Sequence, residues 1–442
     1  MAGGDQQDKA LYENLSSPTG ATTSLLTVAS IAAAEFRYVL IIDIGGAFLN
    51  ASMSPTRVTV HMRLNALMSS ILVKIAPLYK KYLEVDGTLV VALDKALYGC
   101  VEAAALWFED IKGKLLTYGF AQNSYDACVF NRIGRSGKQT TIVLHVDDLF
   151  VTSEEAEDLH DLDLYLKSVY KETKSRTGKV VDFVGMTFDF TQSGSVKVTM
   201  DNCTDDILKN CGVTEAKATP AASNLFDVRD APKLSDSDSK FFHSHVAKVL
   251  YLAKRVRPEC LTAVSFLSTW HRGIILCIGE QMTVKAYIDA AYGVHQDSGK
   301  SHTGCVIVLG AGGPLLAKSS KQKIVTKSST EAKLVGLSDT ATLAIHLRNF
   351  VLDQGYEIGP AVVYQDNMSC MALMKRGGPG SERSRHINIR HFWLSERVDK
   401  GEVVIEHLGT EEMFANVLTK PVQGAQFAKE RMGLTNWTDC QV

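Results

Sequence analysis

The sequence predicts a two-part protein: an α+β unit built on an antiparallel sheet with helices, followed by an α/β layer unit. Three observations predict it. Two β-prone runs, Thr140 to Val146 and Leu149 to Thr152, are separated only by Asp147-Asp148, which is hairpin spacing. From Thr283 onward come three strands, a long helix and then alternating strand and helix, the pattern of an α/β layer. Between the two, Thr219 to Ser239 is rich in Pro, Ser, Asp and Ala and reads as a linker.

The elements follow in order. Thr23 to Phe36 reads as a helix, with Leu25, Leu26, Ala29, Ile31, Ala32 and Ala33 gathered on one side. Val39 to Asp43 is a short apolar run suited to a buried strand, closed by Gly45-Gly46. Strands are expected at Val58 to Met62 and Thr88 to Leu93, and an amphipathic helix at Ala103 to Leu116. After the hairpin, acidic Glu154 to Lys171 reads as a helix, with strands at Val180 to Phe190 and Val196 to Met200. Phe242 to Ser268 is helical in pattern. The second unit opens with strands at Thr283 to Ile288, Thr303 to Leu309 and Leu315 to Ser319 and a helix at Ser329 to Leu352. Strand Ala361 to Gln365, helix Asn388 to Val398, strand Glu402 to His407 and a last helix from Glu411 complete it.

Composition narrows the class. The 442 residues are 45% hydrophobic, enough for the cores of two or three domains. Net charge is -2, so a nucleic-acid role would require basic residues concentrated locally. The nine cysteines are scattered and never spaced C-x-x-C, which argues against a disulfide framework and a thiolate zinc site and for a reducing compartment. The polar, acidic start is unlike a signal peptide, and the longest mainly apolar run, Leu25 to Ala34, is too short to span a membrane. A soluble intracellular protein without a membrane partner is expected.

Asp43 ends an apolar strand, and Asp147-Asp148 sits at a hairpin tip between Ile142-Val143-Leu144 and Leu149-Phe150-Val151. Joining nucleotides requires activation of a 3′-hydroxyl and stabilisation of a departing pyrophosphate. Two magnesium ions about 3.5–4 Å apart do both, and carboxylates on a rigid strand end and a tight turn suit them. The plainer alternative is a hydrated turn, since Asp-Asp is common there.

Here the residues carry a family resemblance. D-I-G-G-A-F-L-N at Asp43 to Asn50 resembles motif A of reverse transcriptases, and H-V-D-D at His145 to Asp148 resembles their Y-V-D-D motif. L-D-K-A-L-Y-G-C at Leu93 to Cys100 with Trp107, D-A-C-V-F at Asp126, V-G-M-T-F at Val184 and V-L-Y-L-A-K-R-V-R-P at Val249 are similar, in order, to blocks of the copia-type LTR retrotransposon enzyme. The resemblance runs from about residue 14 to residue 435. It implies a palm-type polymerase domain and RNA-directed DNA synthesis from deoxynucleoside triphosphates on an RNA template. Asp43, Asp147 and Asp148 would be ligands of magnesium, or of manganese in its place. Phe48 would stack under the incoming sugar, where a bulky ring excludes a 2′-hydroxyl; a core aromatic is the alternative. The protein would then work in a cytoplasmic retrotransposon particle or in the nucleus.

A second acidic set lies downstream. Asp289 follows the strand run V-K-A-Y-I, Glu331 stands in the first turn of the long helix and Asp366 closes A-V-V-Y-Q. That is the layout of RNase H-like nucleases, in which two magnesium ions activate a water against the RNA strand of a hybrid. Glu331 has an ordinary alternative as a first-turn acid with Ser328, Ser329 or Thr330 as cap. Y-I-D-A-A-Y-G, S-S-T-E-A-K, Y-Q-D-N, R-H-I-N-I-R-H-F and F-A-N-V-L-T-K-P again resemble the copia family and imply Asp289, Glu331 and Asp366 as ligands. The fourth family acid is replaced by Asn416, expected at the start of the final helix, where it offers an oxygen but no charge. Lys318, Lys321, Lys323 and Lys327, then Lys375, Arg376, Arg383 and Arg385, could hold hybrid phosphates or form a solvated edge. His386 and His391 are expected to be structural.

Several features depart from the family. Few residues precede Asp43, so most of the fingers are expected to be missing. Glu102-Ala103-Ala104-Ala105 stands where the family has Gln-Ala-Pro-Arg, placing the Glu102 carboxylate where an amide seats the nucleotide. Ala291 replaces the second acid of the D-A-D block, and Thr269 to Arg272 is shortened. The expected division is a palm at 1–215, a short thumb or connection at 216–280, an RNase H-like domain at 281–425 and a tail at 426–442. Three readings stay open: a dual-activity enzyme, a nuclease alone, or a non-catalytic relic. Weak or absent polymerase activity and residual hybrid cleavage with a raised metal requirement are expected.

Overall fold

A computed structural model describes residues 6–12, 16–53, 58–211, 219–227, 234–264, 273–375 and 385–436. The shortened stretch Thr269 to Arg272 and the basic residues Arg376 and Arg383 lie outside them. The side chains of Lys375, Arg385, His386 and His391 are likewise outside what is described.

Helix α1 (Thr22–Ala34) leads into β1 (Tyr38–Ile44) and the one-turn α2 (Ala47–Asn50). Strand β2 (His61–Leu64), α3 (Ala66–Ile75) and β3 (Leu89–Ala92) come next, with β2 and β3 paired as a small sheet. After α4 (Ala103–Thr117) come β4 (Ala121–Gln122), β5 (Val129–Ile133), β6 (Gln139–His145), β7 (Asp148–Ser153), α5 (Ala156–Val169) and β8 (Thr173–Thr177). These strands build a six-stranded antiparallel sheet in the order β4-β5-β6-β7-β1-β8. One face carries Leu40, Ile42, Ile44, Leu149 and Val151 against Trp107, Ile111 and Leu115 of α4 and Leu159 and Leu162 of α5. Alternate residues, Val39, Ile41, Val143 and Phe150, point the other way into a second core.

The run Val180 to Phe190 is not one strand. Val184 and Gly185 both take positive φ (50° and 74°), which folds it into the hairpin β9 (Val180–Phe183) and β10 (Met186–Asp189). With β11 (Ser195–Thr199) and β12 (Gly273–Cys277) these form a four-stranded sheet. Between β11 and β12 lie α6 (Asp201–Cys211), α7 (Asp236–Ala253) and α8 (Leu261–Val264). The expected separate connection therefore returns a strand to the preceding unit, and its helix breaks at Arg257-Pro258.

The second unit is a five-stranded mixed sheet ordered β15-β14-β13-β16-β17. Its strands β13 (Val284–His295), β14 (Lys300–Leu309) and β15 (Pro314–Lys321) are antiparallel. Helix α9 (Ser329–Asp353) packs on β13, and β16 (Ala361–Gln365) runs parallel to it. Helices α10 (Met368–Lys375) and α11 (Arg385–Asp399), then β17 (Val403–His407), complete the sheet. The last helix starts later than expected: Phe414–Leu418 is a 3-10 turn and α12 is Gly424–Thr435. The expected tail thus begins inside α12, where Phe427 and Leu434 are buried.

Helix α1 differs most from its reading. Every residue from Ser24 to Ala33 is buried, not one face of them. Small side chains let backbones approach on all sides, and Thr27 and Ser30 satisfy their hydroxyls on the carbonyls of Thr23 and Leu26. It packs on β6, β7, β11, β12 and β15, so its surroundings join both units. Arg37 donating to Tyr356 at 2.8 Å and Gln139 donating to Gln354 at 2.8 Å link them further. Among the described residues no helix is long and apolar enough to cross a membrane. The eight described cysteines are free.

Candidate functional sites

The first acidic cluster is built by register. Asp43 and Asp148 are directly opposed across β1 and β7, so their side chains share one face. Following the alternation of Val39, Ile41 and Phe150, that face is the one opposite α4 and α5. The hairpin turn is Val146-Asp147, one residue earlier than expected, because His145 already pairs with Asp148. Val146 takes φ 58°, a left-handed conformation that a β-branched side chain rarely adopts. Two hydrogen bonds fix the turn: Trp107 Nε1 donates to the Val146 carbonyl at 2.6 Å, and Ile44 N donates to the Asp147 carbonyl at 3.0 Å. Trp107 is itself almost fully buried, so the turn is tied to the core.

Electrostatics report how close the acids are. Burial, then the charges of Asp147 and Asp43, push Asp148 up to about 6, and Arg176 offsets part of this. Phe48, half-buried on α2, packs on Tyr98 with ring centroids 4.4 Å apart and planes tilted by 35°. Burial and the charges of Asp147 and Asp43 raise the Tyr98 phenol, while the backbone N–H groups of Phe48 and Ala47 oppose the shift. Tyr98 is therefore beside the acids, a neighbour that reading the sequence as motifs did not single out. Hard carboxylate oxygens of this kind suit magnesium or manganese. Glu102, expected to face a nucleotide, is instead 2% exposed at the N-cap of α4, where its charge acts on Cys100 and Tyr12.

The second cluster has a different character. Asp289 lies within β13, not at its end, and is fully buried. Its Oδ1 is 3.2 Å from Lys333 Nζ; its Oδ2 accepts from Thr419 Oγ1 at 2.5 Å and is 3.6 Å from Lys420 Nζ. Thr419 can come this close because Gly304 is the register partner of Asp289. A Cβ there would stand 2.7 Å from the Ala415 carbonyl oxygen and 2.8 Å from Leu418 Cβ. Asp366, just past β16, is ion-paired through Oδ1 with Lys333 and accepts from Thr410 Oγ1 at 3.2 Å. Burial would push Asp289 up, but Lys420, Lys333 and the Thr419 hydrogen bond outweigh it and hold the carboxyl below its ordinary value.

Glu331 turns back on its own helix. Its Oε2 accepts the Lys327 N–H at 2.5 Å, while Ser328 Oγ accepts the Glu331 N–H at 3.2 Å, a capping arrangement. Asn416 sits in the 3-10 turn, not at the start of a helix. Its Nδ2 donates to the Thr410 carbonyl at 2.8 Å and to Glu430 Oε1 at 3.3 Å. Lys321 is held by Asp297 at 2.8 Å, while Lys323 and Lys327 are exposed. Lys333, Thr419 and Lys420 went unassigned from sequence because only the packing of α9 and the 3-10 turn on β13 brings them together. A cleft of about 830 Å³ lies elsewhere, lined by Arg37 and Tyr38 at the opposite end of β1 from Asp43. Among the described residues no three His, Cys, Asp or Glu side chains stand ready-made around an ion.

A family model described as reverse transcriptase (RNA-dependent DNA polymerase) matches residues 1–223. The chain is 24% identical to the retrovirus-related Pol polyprotein from transposon TNT 1-94 of Nicotiana tabacum, over 98% of this chain and 33% of that protein. It is 26% identical to the Pol polyprotein from transposon RE1 of Arabidopsis thaliana, over 78% of this chain and 25% of that one. The chain thus spans a third or less of these relatives. Among solved structures, RNase H1 from Halobacterium salinarum aligns with 31% of this chain and 91% of its own, at 18% identity and a TM-score of 0.22.

Proposed function

Because this chain belongs to the reverse transcriptase (RNA-dependent DNA polymerase) family, and is similar over most of its length to copia-type retrotransposon Pol polyproteins, we propose that its six-stranded sheet is a palm that extends DNA on an RNA template. Asp43, Asp147 and Asp148 are the proposed metal-holding carboxylates. Magnesium, or manganese, held there would activate the primer 3′-hydroxyl and offset charge on the departing pyrophosphate of a deoxynucleoside triphosphate. The chain's own residues do the rest. The register of β1 on β7 sets two carboxylates side by side on one face, and Trp107 holds the turn that carries the third. The Phe48–Tyr98 pair would offer the sugar an aromatic wall, where a 2′-hydroxyl would lose its hydrogen bonds.

The observation that carries this reading is the Asp43–Asp148 register beside Asp147, with Asp148 pushed up to about 6. Primer extension on an RNA template with magnesium tests it. Incorporation that Asp147→Asn reduces by about 10²–10³-fold is expected, the size of losing one electrostatic contact to the transition state. Incorporation indifferent to Asp43→Asn and Asp147→Asn would overturn it.

A second reading rests on the other sheet. Its strand order, with Asp289 on one strand and Asp366 just past its parallel neighbour, supports an RNase H-like unit that receives an RNA/DNA hybrid. Exposed Lys323 and Lys327 would face phosphates there, alongside Lys321.

A further inference from the structure

The second acidic centre is already neutralised from within. Two carboxylates, Asp289 and Asp366, meet two ammonium groups, Lys333 and Lys420. Lys333 stands between the two carboxylates, its side chain 12% exposed, and contacts both. A lysine ammonium is a compact charge with three donors and no acceptor, so it can serve two carboxylates at once as a cation would. The remaining oxygens are engaged as well: Thr419 donates to Asp289 and Thr410 donates to Asp366. Glu331 closes the start of α9, and Asn416 directs its amide hydrogens to Thr410 and Glu430. A divalent ion entering here would have to displace a mostly buried ammonium that already serves both carboxylates.

We propose that Lys333 is a built-in replacement for a divalent cation between Asp289 and Asp366. The residues present do not fit magnesium, and the unit receives a hybrid without cutting it. This rests on reading Asp289 and Asp366 as the RNase H-like centre. It departs from the residual cleavage expected from three surviving acids, because the acids are counted correctly but their counter-ion is a side chain.

The test uses the full chain carrying Asp147→Asn, which weakens metal binding at the other centre, and manganese alone as the probe. Calorimetric titration is expected to show no high-affinity manganese site in this background. Adding Lys333→Met should lower the melting temperature, create one manganese site per chain, and let manganese restore part of the lost melting temperature. Adding Asp289→Asn to that variant should remove the site. Lys333→Arg, which keeps the charge, should stay closed to manganese, and Lys333→Gln serves if the methionine variant does not fold. A manganese site sensitive to Asp289→Asn with Lys333 intact, together with hybrid cutting, would overturn the proposal and leave the nuclease reading standing. A folded Lys333→Met or Lys333→Gln chain that binds no manganese would remove the reading of Asp289 and Asp366 as a metal centre, and the proposal with it.

Discussion

The two acidic centres use the same residue type on sheets and arrive at opposite electrostatics. At the first, the charges of Asp147 and Asp43 act on Asp148 at a partly exposed sheet end, and with burial they push it up to about 6. At the second, Asp289 is buried more deeply yet lies below its ordinary value, because Lys420 and Lys333 stand against it. Burial alone would raise both. What decides the sign is whether the fold supplies a counter-ion, and that decides which centre has room for one from solution.

Removing the internal counter-ion should have the largest effect. Lys333→Ala leaves Asp289 buried beside Asp366 without the cation between them, and should lower stability by about 3–5 kcal/mol, read by chemical denaturation. A loss below 1 kcal/mol would show that Lys420 and water suffice, and would erase the contrast. Next comes the turn that shapes the open centre. Trp107→Phe gives up the hydrogen bond to Val146 and should lower stability by about 1–2 kcal/mol and slow primer extension. Val146→Gly relieves the left-handed backbone and should stabilise by about 1 kcal/mol. If it also slows extension, the strain serves to aim Asp147.

A smaller effect is expected from Asp148→Asn, with a definite pH dependence. The folded chain holds this carboxyl up at about 6, so its ionisation opposes folding progressively as pH rises through that value. The asparagine variant should therefore melt higher than the parent above pH 6, and the gain should vanish below about pH 4. Half-exposure limits the gain to about 1 kcal/mol. The smallest effect separates the surface lysines of the second unit. Lys323→Ala should reduce the slope of log hybrid affinity against log salt by about one phosphate contact. Lys321→Ala should reduce it by less, since Asp297 already holds that charge.

Legibility followed how local the cause was. Strand β1, helix α4 and helix α9 were read to within a residue or two, because apolar periodicity in one stretch decides them. Strand β8 was missed: T-K-S-R-T is a polar edge strand whose pairing comes wholly from β1. Helix α3 was missed too, though Asn65 caps it by accepting the Met68 N–H at 2.9 Å. The site split in the same way. Asp43, Asp147 and Asp148 were visible as letters flanked by strands, whereas the one-residue shift of the turn depends on register with β1. Lys333 passed as one letter of S-S-T-E-A-K, since its role exists only where α9 crosses β13 and β16.

The placement of α1 bears on how the chain is made. This helix is made before two strands that cover it, β12 at Gly273–Cys277 and β15 at Pro314–Lys321, which are synthesised about 240 and about 280 residues later. At translation rates of about 5–20 residues per second, its apolar surface waits for about 10–60 s before those partners exist. During that interval Leu25, Leu26, Val28 and Ile31 form an adhesive segment on a nascent chain, the kind of sequence that chaperones engage and neighbouring chains capture. Yield in a cell should therefore depend on chaperone supply during synthesis, and the purified chain should refold best when dilute.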